Sequence, residues 1–124
     1  MSHPYRLGVM LGDGIGPEIV PASVRVVDAA LAATGAGPVD WQELPLGASA
    51  IDEHGSAIPA ATVEALGGLD GWLLGPHDSA AYPEPFRSQL NPSGAIRKHF
   101  DLFANIRPAR GFEVGRRSRR PPTW

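Results

Sequence analysis

The chain has 124 residues, a length that suits one small domain or part of a larger one. Hydrophobic residues make up 43% of it, enough for a core and too much for global disorder, and the lack of cysteine excludes disulfides and thiolate metal sites. The formal net charge of −2 conceals a cluster of arginines, Arg116, Arg117, Arg119 and Arg120, near the C-terminal end. Met1-Ser2-His3-Pro4 lacks the basic-then-apolar pattern of a signal peptide, and no apolar run approaches membrane-spanning length. A soluble cytoplasmic protein with no membrane partner is expected.

Leu7, Val9 and Leu11 predict a first strand, which breaks into Gly12-Asp13-Gly14-Ile15-Gly16. A helix is expected over 17–34. Pro17 falls where its missing N–H would be unpaired in any case, and Glu18 suits the positive end of the dipole. Ile19, Val20, Val24, Val27, Ala30 and Leu31 give that helix one apolar face, with Pro21 a mild strain on it. Residues 39–46 alternate over their first half and read as a second strand, completing a βαβ unit with an expected right-handed crossover.

A loop or short helix follows over 47–57, then a helix over 59–66 closed by Gly67-Gly68. Residues 71–75 predict a short strand too apolar to be half exposed. Pro76, Pro83, Pro85 and Pro92 rule out a long regular element, so 76–92 is an extended loop of the kind that carries function. A helix over 93–100, with Ser93 as N-cap, and a final short strand over 102–107 complete the pattern.

Two constellations carry chemistry. The glycine turn has Gly-x-Gly-x-Gly spacing rather than the dinucleotide fingerprint, although Asp40 lies roughly where that fingerprint places its ribose-binding acid. It reads either as a phosphate cradle at a helix N-terminus or as a tight turn with no ligand. Arg97 and Arg107 fall on a helix and a strand joined by a short turn, so both can converge on a small dicarboxylate and grip its carboxylates bidentately. Asn91 and Ser93 add hydrogen-bonding groups on the same approach. The competing reading is a pair of surface arginines, solvated or paired with Asp101. His3, His54, His77 and His99 show no metal-ligand spacing.

The turn GDGIGPE, the segment AIDEHG at 50–55, the strand LLGP at 73–76 and the run IRKHFDLFANIRPAR at 96–110 together resemble the β-decarboxylating dehydrogenases. That family includes isocitrate, 3-isopropylmalate and tartrate (malate-type) dehydrogenases, and the resemblance spans residues 5–112 in order and spacing. It implies an α/β, isopropylmalate dehydrogenase-like fold that is not a Rossmann fold, here as an incomplete mixed sheet flanked by helices. It also implies NAD(P)-dependent oxidation and decarboxylation of a 2-hydroxy dicarboxylic acid with a Mg or Mn ion. Arg97 and Arg107 match the family's first two substrate-carboxylate arginines, with Asn91 and Ser93 beside them. Gly75, His77, Asp78 and Ser79 correspond to the segment that runs beside the nicotinamide, and GDGIGPE becomes a structural turn bordering the cofactor cleft.

The stretch Leu90-Asn91-Pro92-Ser93-Gly94-Ala95-Ile96 lacks the acid and leucines that isopropylmalate enzymes place there, which leaves isocitrate, tartrate or another relative's substrate open. Family members are homodimers or larger. They are also much longer, so the resemblance implies no counterpart here for their third substrate arginine, catalytic tyrosine and lysine, metal-binding aspartates or adenosine loop. No catalytic residue and no metal ligand is assigned.

The expected division is a family domain over 1–112 and a non-family basic tail over 113–124, frameshifted or disordered. A shifted reading frame or premature stop in a GC-rich gene accounts for the arginine- and proline-rich end. The chain alone is expected to expose strand edges and apolar faces, to be poorly soluble or partly folded, and to lack dehydrogenase activity. The other function class is a non-catalytic βαβ module that binds a small anion, or a partner through the tail. Nucleic acid is not the expected partner.

Overall fold

The central strand of the sheet is β1 (Arg6–Met10), flanked by β2 (Asp40–Glu43) and β3 (Gly71–Leu74) in the order β2-β1-β3. This arrangement is seen in a computed structural model of the chain, which describes residues 4–109. Every pairing among the described residues is parallel: Gly8 is in register with Gln42 on one side and Trp72 on the other. Parallel neighbours need crossovers. Here α1 (Gly16–Thr34) leads from β1 to β2, while α2 (Ala48–His54) and α3 (Ala60–Gly67) lead from β2 past β1 to β3.

Alternation along the strands separates two packing layers. Met10 points into a core with Leu44, Leu46, Leu66 and Ile96, joined by Trp72, Leu74 and Phe100. Met10 and Leu66 are completely buried, each contributing about 1.5–3 kcal/mol of apolar burial. A Cβ on Gly8 would lie 3.1–3.3 Å from Leu69, Leu66 and Trp72, so the missing side chain is what lets this layer close down on β1. On the other face Val9, Leu11 and Trp41 share a groove with Val20, Pro21 and Val24 of α1.

The helix expected over 17–34 is α1, which runs through Pro21 without a break. Gly35 closes it in the left-handed region at φ 70°, its N–H and that of Ala36 taking the last carbonyls. Residues 47–57 contain the short helix α2, and the proline-rich stretch holds two single turns of 3₁₀ helix, Ser79–Ala81 and Phe86–Ser88.

Three expectations are corrected. The strand at 71–75 is β3, but its residues are half-buried rather than buried, because β1 is its single partner among the described residues. The last helix is α4 (Pro92–His99), and its N-cap is Asn91, not Ser93: Asn91 Oδ1 accepts from Gly94 N at 2.8 Å. Pro92 then occupies the first turn, where it has no N–H to lose. Residues 102–107 are not a strand. They are exposed and pair with no strand, with Phe103 and Ile106 open to solvent, since the segment has no neighbouring strand among the described residues to pair with. The boundary expected at 112 and the basic tail lie outside the described residues.

Candidate functional site

The chain leaves β1 for one neighbour and returns past it to the other, so the carboxyl ends of β1 and β3 lie side by side where the connections diverge. In open α/β sheets this is where ligands settle. The two segments that emerge there are Gly12-Asp13-Gly14 after β1 and Gly75-Pro76-His77-Asp78 after β3.

Glycines make their contact possible. A Cβ on Gly75 would lie 2.0 Å from the Leu11 carbonyl oxygen, and one on Gly12 2.0 Å from that of Pro76. Gly12 also has φ +71°, a conformation L side chains rarely adopt. The backbone of one turn therefore rests directly on the other, with Asp13 N donating to Pro76 O at 2.7 Å.

Asp13 holds the assembly from its side chain. Its Oδ1 accepts from Ala48 N at 2.7 Å, and its Oδ2 accepts from Asp78 N at 2.9 Å and Tyr82 Oη at 2.6 Å. One carboxylate thus joins the β1 turn, the start of α2 and the loop after β3. Burial opposes ionisation of Asp13, but the hydrogen bonds from Ala48, Tyr82 and Asp78, with a smaller contribution from His77, outweigh it and lower its pKa. Burial and the Asp13 carboxylate push the Tyr82 hydroxyl well above its usual value. A small cavity opens beside this knot, lined by Asp13, Gly14, Ala48, Asp78, Ala81 and Tyr82.

The N-terminus of α1 is not a phosphate cradle. Gly16 N donates to Asp13 O, Glu18 N and Ile19 N donate to Ile15 O, and Pro17 has no N–H. The donors an anion would need there are taken.

A second network faces α4. His77 Nε2 lies 3.0 Å from Ser93 Oγ, which donates to Asn91 Oδ1 at 3.1 Å. His77 Nδ1 is buried without a hydrogen-bond partner among the described residues. Arg97 sits in the exposed last turn of α4, and Arg107 lies in the extended segment beyond it, where its Nε donates to Asn105 Oδ1 at 3.3 Å. Among the described residues neither arginine pairs with an acid, Asp101 included.

The family model for isocitrate/isopropylmalate dehydrogenase matches residues 6–122. The chain belongs to this family. It is 37% identical over 119 residues to the 3-isopropylmalate dehydrogenase of Yersinia pestis, covering 91% of this chain and 32% of the relative. It is 39% identical over 111 residues to that of Pseudoalteromonas translucida, covering 85% of this chain and 30% of the relative. A solved β-decarboxylating dehydrogenase from Thermococcus kodakarensis, in its apo form, superposes with a TM-score of 0.63 at 30% identity, over 79% of this chain and 27% of that one. The chain thus spans about a third of the curated relatives it matches. Both the family and its fold agree with the resemblance read from GDGIGPE and the arginine run.

Within this isocitrate/isopropylmalate dehydrogenase segment, the structure brings His77, Ser93 and Asn91 together and ties Asp78 to Asp13. Gly75 is occupied by backbone contact with Leu11, and Ser79 opens a 3₁₀ turn. Arg107 is not positioned by a strand, as the expected convergence with Arg97 had required. Asp13 and Tyr82 had no assigned role in the sequence reading. An aspartate inside a glycine turn and a tyrosine in a proline-rich loop were the available signals, since both side chains seek hydrogen-bond partners. Among the described residues no group of three or more histidine, aspartate or glutamate side chains could hold a metal ion. These residues do not by themselves fit Mg or Mn.

Proposed function

We propose that this chain is part of an NAD(P)-dependent dehydrogenase that oxidises and decarboxylates a 2-hydroxy dicarboxylic acid. The observation that carries the reading is the juxtaposition of the loop after β3 with the N-terminus of α4, through His77 and Ser93. On this reading Arg97 and Arg107 hold the substrate carboxylates, with Asn91 and Ser93 beside them. Both guanidinium groups are exposed and unpaired with acids among the described residues, so neither is committed to an internal ion pair. Positive charge at that position also stabilises enolate charge as carbon dioxide leaves.

His77, Asp78 and Ser79 border the dinucleotide, which supplies the hydride acceptor when bound. The exposed Asp78 and the half-buried Ser79 suit hydroxyl and amide groups better than phosphates. Substrates of the isocitrate, tartrate or malate type suit the polar Asn91-Pro92-Ser93-Gly94 stretch better than 3-isopropylmalate, whose branched alkyl group calls for apolar contacts. The 124 residues alone supply a carboxylate-binding side and no turnover, and the active protein is a homodimer or larger.

Titration calorimetry of the chain with isocitrate, tartrate, malate and 3-isopropylmalate tests the assignment. Weak, salt-sensitive binding of a polar dicarboxylate is expected, falling about tenfold or more in Arg97→Gln and Arg107→Gln. Unchanged affinity in both variants overturns the role of the arginines. Formation of NADH or NADPH by the chain with any of these acids and Mg or Mn overturns the absence of turnover.

A further inference from the structure

The network between His77 and α4 has a direction. Asn91 Oδ1 can only accept, and Gly94 N already donates to it at 2.8 Å, which settles which end of the amide faces the helix. Ser93 Oγ is 3.1 Å from the same oxygen, so the serine hydrogen is directed there. Ser93 Oγ then has only lone pairs left for His77 at 3.0 Å. The hydrogen between them must come from the imidazole, which places it on Nε2. In the neutral ring Nδ1 is then a bare acceptor, buried and without a partner among the described residues. An unsatisfied buried acceptor is costly, so the arrangement is not the one that packing alone would choose.

The direction changes what each residue offers a ligand. Ser93 has no hydrogen to give, because its own is spent on Asn91. Asn91 uses its carbonyl to cap α4 and to receive Ser93, so its Nδ2 hydrogens are the part able to donate to an outside oxygen.

We propose that His77 is a positioning residue for the carboxylate side of the site. Its Nε2–H fixes Ser93, and Ser93 fixes the Asn91 amide with its donors available to a carboxylate or hydroxyl oxygen. This rests on the proposed dicarboxylate reading, which gives Asn91 a ligand to meet. Through it the loop beside the dinucleotide and the helix beside the substrate are joined by a single imidazole, and Ser93 acts as an internal link rather than a ligand contact.

Nitrogen-15 NMR of the histidine rings in the 124-residue chain reads the relay directly. At a pH where the imidazole is neutral, the His77 resonances should show the Nε2–H tautomer and should move in Ser93→Ala. A His77 Nδ1–H form, or resonances indifferent to Ser93→Ala, overturns the relay, and the wild-type tautomer reading needs no variant to fold. Calorimetry with tartrate or isocitrate then reads the consequence. His77→Leu should weaken binding about tenfold, while His77→Gln, whose amide can still donate to Ser93, should stay within about threefold of wild type. Equal losses in both variants overturn the positioning role. If the wild-type chain binds neither acid, the dicarboxylate reading fails and the positioning role fails with it, while the ring resonances show whether the relay itself exists.

Discussion

Tyr82 donates its phenolic hydrogen to Asp13 Oδ2 across 2.6 Å, tying the proline-rich loop to the turn that follows the central strand. The tyrosine is only 4% exposed, although a small cavity opens beside its bond to Asp13. Hydrogen bonds to a charged partner contribute about 1.5–3 kcal/mol, and Tyr82→Phe should lose stability in that range. Asp13→Ala should cost more, about 2–4 kcal/mol, because it also removes the acceptor of the Ala48 and Asp78 N–H groups. Urea denaturation of both single variants and the double variant checks this. Tyr82→Phe should have little further effect once Asp13 is gone.

The same pair sets how stability varies with pH. The folded pKa of Asp13 lies below its ordinary value of 3.8, so the unfolded chain binds the proton first. Its stabilising contribution is therefore complete above about pH 4–5 and is lost as the pH falls through the folded pKa. Tyr82 works at the other end, with a folded pKa raised above the ordinary 10.0. A raised pKa stabilises fully below the unfolded value and is lost as the pH climbs toward the folded one, so stability should fall above about pH 10. Denaturation midpoints measured across pH should decline on both sides in wild type. Tyr82→Phe should flatten the alkaline decline, and Asp13→Asn the acid one.

The glycines of the two turns should separate sharply in their tolerance. Gly75→Ala and Gly12→Ala would each drive a Cβ to 2.0 Å from a carbonyl oxygen, a clash with backbone that no rotamer relieves. Losses above about 4 kcal/mol, or failure to fold, are expected. Gly14→Ala meets nothing within 4 Å and suffers only from its φ of +59°, so about 1 kcal/mol is expected. Gly37→Ala, in open space with no left-handed requirement, should be neutral or slightly stabilising. Thermal melts of the four variants check the order.

What the sequence made legible follows from the range of the signals. α1 was readable from its apolar spacing and from Pro17, and its closure at Gly35 from the glycine that follows it, because these act within a turn or two of helix. β1 and β2 were readable from alternation. Asp13 was not, because its partners Ala48, Asp78 and Tyr82 are distant in the chain and share no pattern with it. The cap of α4 lies two positions before the serine that the pattern favours, for a similar reason. Asn91 and Ser93 are both good caps, and only the observed Asn91–Gly94 bond separates them. Residues 102–107 have apolar, strand-compatible residues without a strand, since composition reports what a segment can pair with and not whether a partner is present.

Asn91 offers a way to separate folding from binding in the proposed site. As the α4 cap it satisfies Gly94 N through its Oδ1, a role that aspartate fills equally well. Asn91→Asp should therefore leave stability within about 0.5 kcal/mol of wild type, whereas Asn91→Ala should cost about 1 kcal/mol or more. Toward a dicarboxylate the two substitutions act differently. Alanine removes the Nδ2 donors, while aspartate replaces them with a negative charge facing other negative charges. Dicarboxylate affinity should fall in both variants and further in Asn91→Asp, reversing their order in stability. Paired urea denaturation and calorimetric titration check this reversal. If Asn91→Asp binds tartrate and isocitrate as wild type does, Asn91 serves α4 alone and makes no contact with the ligand.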